Sequence, residues 1–221
     1  MTSAMRPLVL VGAGGLGRET AELVRAINGT AATWQLLGFV DDSPALAGAV
    51  VAGLPVLGPI ASAIELDAEL AVCTARPAMG CSRRRIVADL GLPSERFPTL
   101  VHPAASLSGS TTVGEGCLIF AGVVATADVS LGRHVVLMPH VVLTHDDAVE
   151  DFATFAAGVH LGGGVRVGAE AYLGAGVLVR EQVSIGPAAL VGMGSVVLSD
   201  VPGAQTWVGA PAMPLRQEAN A

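Results

Sequence analysis

From Val101 to Val197 an apolar residue recurs at every sixth position without a slip of register. The series runs Val101, Leu107, Val113, Ile119, Ala125, Leu131, Leu137, Leu143, Val149, Phe155, Leu161, Val167, Leu173, Val179, Ile185, Val191, Val197. Four residues after these stand small or branched residues, among them Ala105, Thr111, Cys117, Val123, Val129, Val135, Val141, Ala153 and Val159, and Asp147 is the one breach. Glycine directly follows the apolar residue at 114, 132, 162, 168, 174, 186 and 192. A period of six fits neither an α-helix, at about 3.6 residues per turn, nor a plain strand, at about two. It fits a parallel β-helix of hexapeptide repeats, in which short strands meet at tight corners and apolar residues stack up the interior.

Residues 1–98 obey different rules, and their alternation reads as βαβ units. Residues 7–11 form an apolar strand, GAGGLG (12–17) the turn after it, and 18–27 a helix with Ala21, Leu23, Val24 and Ile27 at helical spacing. Strands follow at 36–40 and 70–74, and a helix at 82–90. The expected organisation is therefore a Rossmann-like α/β domain (1–98), a β-helix (99–202) and a capping tail (203–221) containing VGAPAMP. A solenoid leaves raw strand edges at both ends, so the α/β domain and the tail are expected to cover them.

A net charge of −7 gives no electrostatic footprint for nucleic acid. Hydrophobic residues make up 52% of the chain, and 182–199 carries no charge, but its Gly, Pro and Ser keep the six-residue beat, which argues against a membrane span. No basic-apolar leader precedes the first strand, and Cys73, Cys81 and Cys117 form no disulfide or metal spacing. A reduced, cytoplasmic protein is expected.

Two segments carry chemistry. The GxGGxG turn opens a helix after a strand, with the acidic pair Asp41–Asp42 about 24 residues on, which is the fingerprint of a nucleotide-type site. Glycines Gly12, Gly14, Gly15 and Gly17 would let the backbone approach phosphate at a helix N-terminus, and an acidic side chain would accept from a ribose or base. The same glycines could equally serve only a tight turn. The second segment is THDD (144–147), a polar interruption in an apolar run. His145 stands two after Leu143 and should face outward, where an imidazole with both Asp146 and Asp147 within local reach could act as general base. Asp147 could instead sit at a corner, bonded to backbone N–H.

Taken together, the GAGGLG turn, the GFVDD strand end, the hexads, the HD pair and the VGAPA terminus resemble the NeuD/PglD-like sugar acyltransferases, the sialic-acid O-acetyltransferase-like group. The resemblance spans the chain from about residue 8 to 216. It implies a left-handed β-helix assembled as a homotrimer, acetyl-CoA as co-substrate with no metal, and a nucleotide-linked sugar as acceptor, with an amine or hydroxyl acylated. It implies His145 as the catalytic base, Asp146 as its partner, and Gly163, one coil further on, as the oxyanion donor. Gly12, Gly14, Gly15, Gly17, Asp41 and Asp42 would then face the sugar nucleotide. Gly174, Gly176, Arg180, Gly192, Gly194, Gly209, Pro211 and Arg216 would lie along CoA. The chain departs from the family where Leu16 replaces His, Met138 replaces Asn and Thr154 replaces His, and where 73–76 lacks an Asn, so its acceptor contacts are expected to differ.

Two other readings use the same sequence. A metal enzyme of the γ-carbonic-anhydrase type would need three stacked histidines; His140 and His145 are five apart, but the positions in register with them are Ala127, Gly109 and Gly122, and His102 is out of phase. A non-catalytic nucleotide-sugar-binding or accessory protein would keep the fold without the chemistry.

Overall fold

The structure, a computed structural model, describes residues 4–75 and 82–215. Its first part is a five-stranded sheet of β1 (Arg6–Val11), β2 (Trp34–Val40), β3 (Val50–Val51), β4 (Leu54–Gly58) and β5 (Glu69–Val72), in the order β3-β4-β2-β1-β5. All pairs are parallel except β3 with β4. The central strand β1 buries Leu8, Val9, Leu10 and Val11 completely, because helices cover both faces of a parallel sheet. Helix α1 (Gly15–Thr30) turns Ala21, Leu23 and Val24 onto one face, and α2 (Ser82–Leu90) turns Ile86 and Leu90 onto the other. The β3–β4 hairpin was not foreseen. Its two-residue turn, Ala52–Gly53, has both φ positive (+49° and +77°), and an alanine there hides the Asn-Gly or Asp-Gly signal that such turns normally show.

From Leu100 onward the chain winds as a left-handed β-helix with 18 residues per coil, seen in pairings such as Val124↔Val142 and Val142↔His160. Three parallel sheets form its walls. The first is built on strands such as Leu118–Ile119 and Val136–Leu137, the second on Val124–Ala125 and Val142–Leu143, the third on Ser130–Leu131 and Ala148–Val149. The hexad residues point inward, and from Ile119 to Val197 every one is buried. Each corner from Gly116 to Gly194 places one residue in the left-handed backbone region, more often a side-chain-bearing residue (among them His134, His140, Asp146 and Phe152) than a glycine. The upper end is closed by Met213–Pro214 pairing antiparallel with Thr206–Val208, with Trp207 and Ala212 buried beneath.

The lower end corrects an expectation. The α/β part does not sit squarely under the first coil; it leans on the outer face of the first sheet, where Leu100, Leu118, Phe120 and Val136 join Leu8, Leu10, Ala13 and Leu23 in one cluster. Val101, an interior hexad residue, remains 36% exposed. The reason is area: a wall of outward Leu, Phe and Val buries more apolar surface than a single strand edge offers. Arg83, 2% exposed at the start of α2, fastens the junction by donating to Thr74 O (2.7 Å), Phe152 O (2.6 Å) and Thr154 Oγ1 (2.8 Å).

The interior stack predicts its own sensitivity. Phe155, 0% exposed among hexad neighbours, should cost about 3–5 kcal/mol on replacement by Ala, measured by reversible urea unfolding, whereas Ser130→Ala on the outer wall should cost under about 0.5 kcal/mol.

Candidate active site

His145 occupies the corner between the second and third sheets, and its side chain is 68% exposed, outward as its hexad position requires. Nδ1 lies 2.8 Å from Asp146 Oδ2. An ionised carboxylate only accepts, so Nδ1 carries the proton and Nε2 presents its lone pair. Asp146 reaches this position from a left-handed backbone (φ +64°), a conformation Asp tolerates better than most residues.

One coil above lies Gly163. A Cβ built on it would fall 2.4 Å from both Cε1 and Nε2 of His145, so the ring rests directly against this glycine. Glycine is therefore needed here for the imidazole itself, a reason the sequence did not disclose. The Gly163 N–H has no acceptor among the described residues, while its neighbour Gly164 N–H bonds His145 O at 2.8 Å. A basic nitrogen and an unused backbone donor are thus held side by side on one corner.

Asp147 points the other way. It is fully buried, with Oδ2 accepting from Thr144 N and Oδ1 from Val165 N, both at 2.8 Å. It is the backbone-bonded corner residue that one reading of THDD anticipated. Burial pushes its carboxyl up to about 6, against the opposing pull of those two N–H donors. Because the folded value is the higher, its contribution to stability is complete below about pH 4 and is lost as pH rises through 6.

In the α/β part, Gly14 is the uncapped residue before α1, and neither Gly14 nor Gly15 has any atom within 4 Å of a built Cβ. Their backbone faces open space at a helix N-terminus, the arrangement that suits an anionic group. Gly12 and Gly17 have steric reasons of their own. A Cβ on Gly17 would meet Gly12 O at 2.0 Å, and Gly12 itself has φ +101°. Asp41 accepts from Ala13 N and Ser43 N, and Asp42 from Ile60 N, all at 2.8 Å, so Asp41 locks the glycine-rich turn to the end of β2 while Asp42 ties that strand end to the segment after β4. Each oxygen retains a second lone pair for a ligand.

The remaining positions separate by corner. Arg180 shares the corner of His145 two coils up, roughly 10 Å away at ~4.8 Å per coil, beside an open groove of about 490 Å³ lined by Glu181, Gln182, Ser199 and Asp200. Gly174, Gly176, Gly192 and Gly194 instead line the corner between the first and second sheets, with Gly209 and Pro211 following at the cap. Gly174 is required by coil stacking alone, since a Cβ there would meet Met193 N at 2.5 Å. Arg216 lies outside the described residues. At the foot of this second corner a cavity of about 250 Å³ opens between α1 and the solenoid, lined by Glu19, Glu22, Leu23, His102, Phe120 and Met138. Leu16 and Met138 pack into the junction cluster, and Thr154 is 7% exposed behind Arg83. Two of the departures from the family pattern thus have apolar packing roles, and the third partners an arginine that sequence reasoning had not singled out.

His134 is buried between Phe152 (stacked, 5.0 Å) and Phe97 (edge-on, 5.2 Å), and burial holds its imidazole down at about 4. It is a neutral part of the junction. Among the described residues no three His, Cys, Asp or Glu side chains converge as metal ligands, and no helix is long and apolar enough to cross a membrane.

Known proteins share this fold. Residues 7–88 match the PglD N-terminal domain family model. GDP-perosamine N-acetyltransferase of Escherichia coli O157:H7 is 30% identical over 168 residues, covering 75% of this chain and 74% of that protein. The acetyltransferase domain of PglB from Neisseria gonorrhoeae, solved with acetyl coenzyme A, superposes with a TM-score of 0.84 at 32% identity, over 96% of this chain and all of that one. PerB from Caulobacter crescentus, solved with CoA and GDP-perosamine, gives 0.82 at 30% identity, over 96% and 99% of the two chains. Identity of this order, sustained through both the α/β part and the solenoid, is inheritance of one architecture, and the chain belongs to the NeuD/PglD-like family of sugar acetyltransferases.

Proposed function

We propose that this protein transfers the acetyl group of acetyl-CoA to an amine of a nucleotide-linked sugar, by direct attack with His145 as general base. The observation that carries the reading is the placement of the His145 ring, with its Nε2, against Gly163 on one exposed corner, where the Gly163 N–H has no acceptor among the described residues. Nε2 removes a proton from the amine as its nitrogen attacks the thioester carbonyl; Asp146, 2.8 Å from Nδ1, stabilises the resulting imidazolium. Gly163 N–H donates a hydrogen bond to the developing oxyanion, and collapse of the tetrahedral intermediate expels the CoA thiolate, which takes up the proton held by the His145 imidazolium. Neither Cys73 nor Cys117 suits a covalent route, since both are buried and burial pushes each thiol up to about 12. GDP-perosamine and CoA, bound by PerB, are the first acceptor and product to try on this chain.

The same reading includes a homotrimer. The glycine corner and the 250 Å³ cavity lie on one edge of the second sheet and His145 on the other. The outer face between them is apolar, with Val124, Val142, Leu178 (46% exposed) and Val196 interrupted only by Ser106 and His160. Packing that face against neighbouring copies would bring one chain's His145 corner to another's glycine corner and so complete the site.

Four outcomes follow. Thiol release from acetyl-CoA should be stimulated by at least one member of a panel of nucleotide-linked amino sugars that includes GDP-perosamine. With that acceptor, His145→Ala should lower turnover by roughly 10²–10⁴-fold while CoA binding barely changes, and undiminished turnover would remove the assignment. Gly163→Ala, whose new methyl must displace the imidazole, should lower turnover by at least about tenfold with the fold retained. Sedimentation should give a trimer for the native chain, and Leu178→Asp should dissociate it and abolish transfer together; an active monomer would refute the shared site.

A further inference from the structure

Asp147 stands in an interior column otherwise built from Thr111, Val129, Val165, Val183 and Val201, each one coil from the next. A carboxylate is the worst match to that column. It is completely buried, and a valine of the kind found directly below and above would add apolar contact without removing an ion from water. Its presence therefore calls for a reason other than stability.

The hydrogen-bond ladder supplies one. On this corner the N–H of Ser108, Thr126, Gly162 and Arg180 each bonds a carbonyl of the next coil, at Ala125, Leu143, Val179 and Val197. Thr144 breaks the series: its N–H turns inward to Asp147 Oδ2, and Leu161 O is satisfied instead by the Thr144 hydroxyl at 3.2 Å. The sheet records the same dislocation, since only Val142↔His160 pairs here, where neighbouring coils pair two residues. The second carboxylate oxygen holds Val165 N–H, two residues beyond Gly163. One side chain thus grips the residue before His145 and the turn that carries Gly163.

We propose that Asp147 is a positioning residue, whose carboxylate draws the 144–147 turn out of the regular ladder and sets His145 against the Gly163 N–H. It touches neither His145 nor any reacting atom by these bonds; it acts through the two backbone N–H groups. The inference rests on His145 being the base.

The test compares Asp147→Val, which restores the residue of the adjoining coils, with the isosteric Asp147→Asn, and runs His145→Ala alongside. Acetyl-CoA and the best acceptor of the panel above serve as substrates at pH 7.5. Asp147→Val should show a Tm equal to or above the native value, since it removes a buried carboxylate that is ionised at this pH. Its kcat should nevertheless fall at least about tenfold, with KM for acetyl-CoA changed by less than about threefold, and Asp147→Asn should lie between. Native kcat in both variants, or activity lost only in proportion to the fraction unfolded, would overturn the proposal. Full turnover in His145→Ala would sink the general-base reading and this inference with it. An inactive His145→Ala beside fully active Asp147 variants would sink the positioning role alone.

Discussion

The stacking of interior side chains at intervals of one coil is the constraint on which everything else in the solenoid hangs. Buried Leu, Val, Ile and Phe at every sixth position hold three short strands per turn, and the ladder hydrogen bonds then place each residue against the one 18 further on. A one-residue slip would reverse every side chain and expose the core, so the register has no near competitor. His145 and Gly163 are neighbours because of this and for no local reason. The site inherits the rigidity of the core beneath it, which suits chemistry that depends on placing a base and an oxyanion donor a few ångströms apart.

Four aspartates show how environment divides one residue type into separate tasks. Asp146 is exposed and orients an imidazole. Asp41 and Asp42 satisfy backbone N–H groups at the strand end, Asp41 shaping the glycine-rich turn and Asp42 holding the segment that begins at Ile60. Asp147 is enclosed among aliphatic side chains, where the loss of hydration outweighs two good hydrogen bonds and lifts its carboxyl to about 6. The adjacent pair 146–147 is thus split by the wall of the helix, one carboxylate in water and one in the core.

The junction between the two parts answers a different physical demand. Outward-facing Leu118, Phe120 and Val136 on the first sheet cannot be left to solvent, and the α/β part, with α1 against the first solenoid strand, supplies the cover. Arg83 then secures the seam through the main-chain carbonyls of His134 and Phe152, so the contact depends on the solenoid backbone being where it is. The small cavity beside α1 is the gap this lean leaves open, with two glutamates over an apolar floor.

Periodicity made the solenoid, the outward turn of His145 and its Asp146 partner readable in the sequence, because a six-residue repeat has one geometric solution and pairing by 18 residues is arithmetic. The βαβ strands and helices were readable to within a few residues for the same reason, a change of period. What local patterns could not carry was anything arising between distant segments or hidden by an atypical residue: the Ala52–Gly53 hairpin, the seat of the α/β part on the flank of the solenoid, and Arg83 across the seam. The steric need for Gly163 against an imidazole, its N–H left without an acceptor among the described residues and the ladder bond surrendered to Asp147 likewise belong to three-dimensional packing, since burial, clash and the competition among hydrogen-bond acceptors exist only once the coils are stacked.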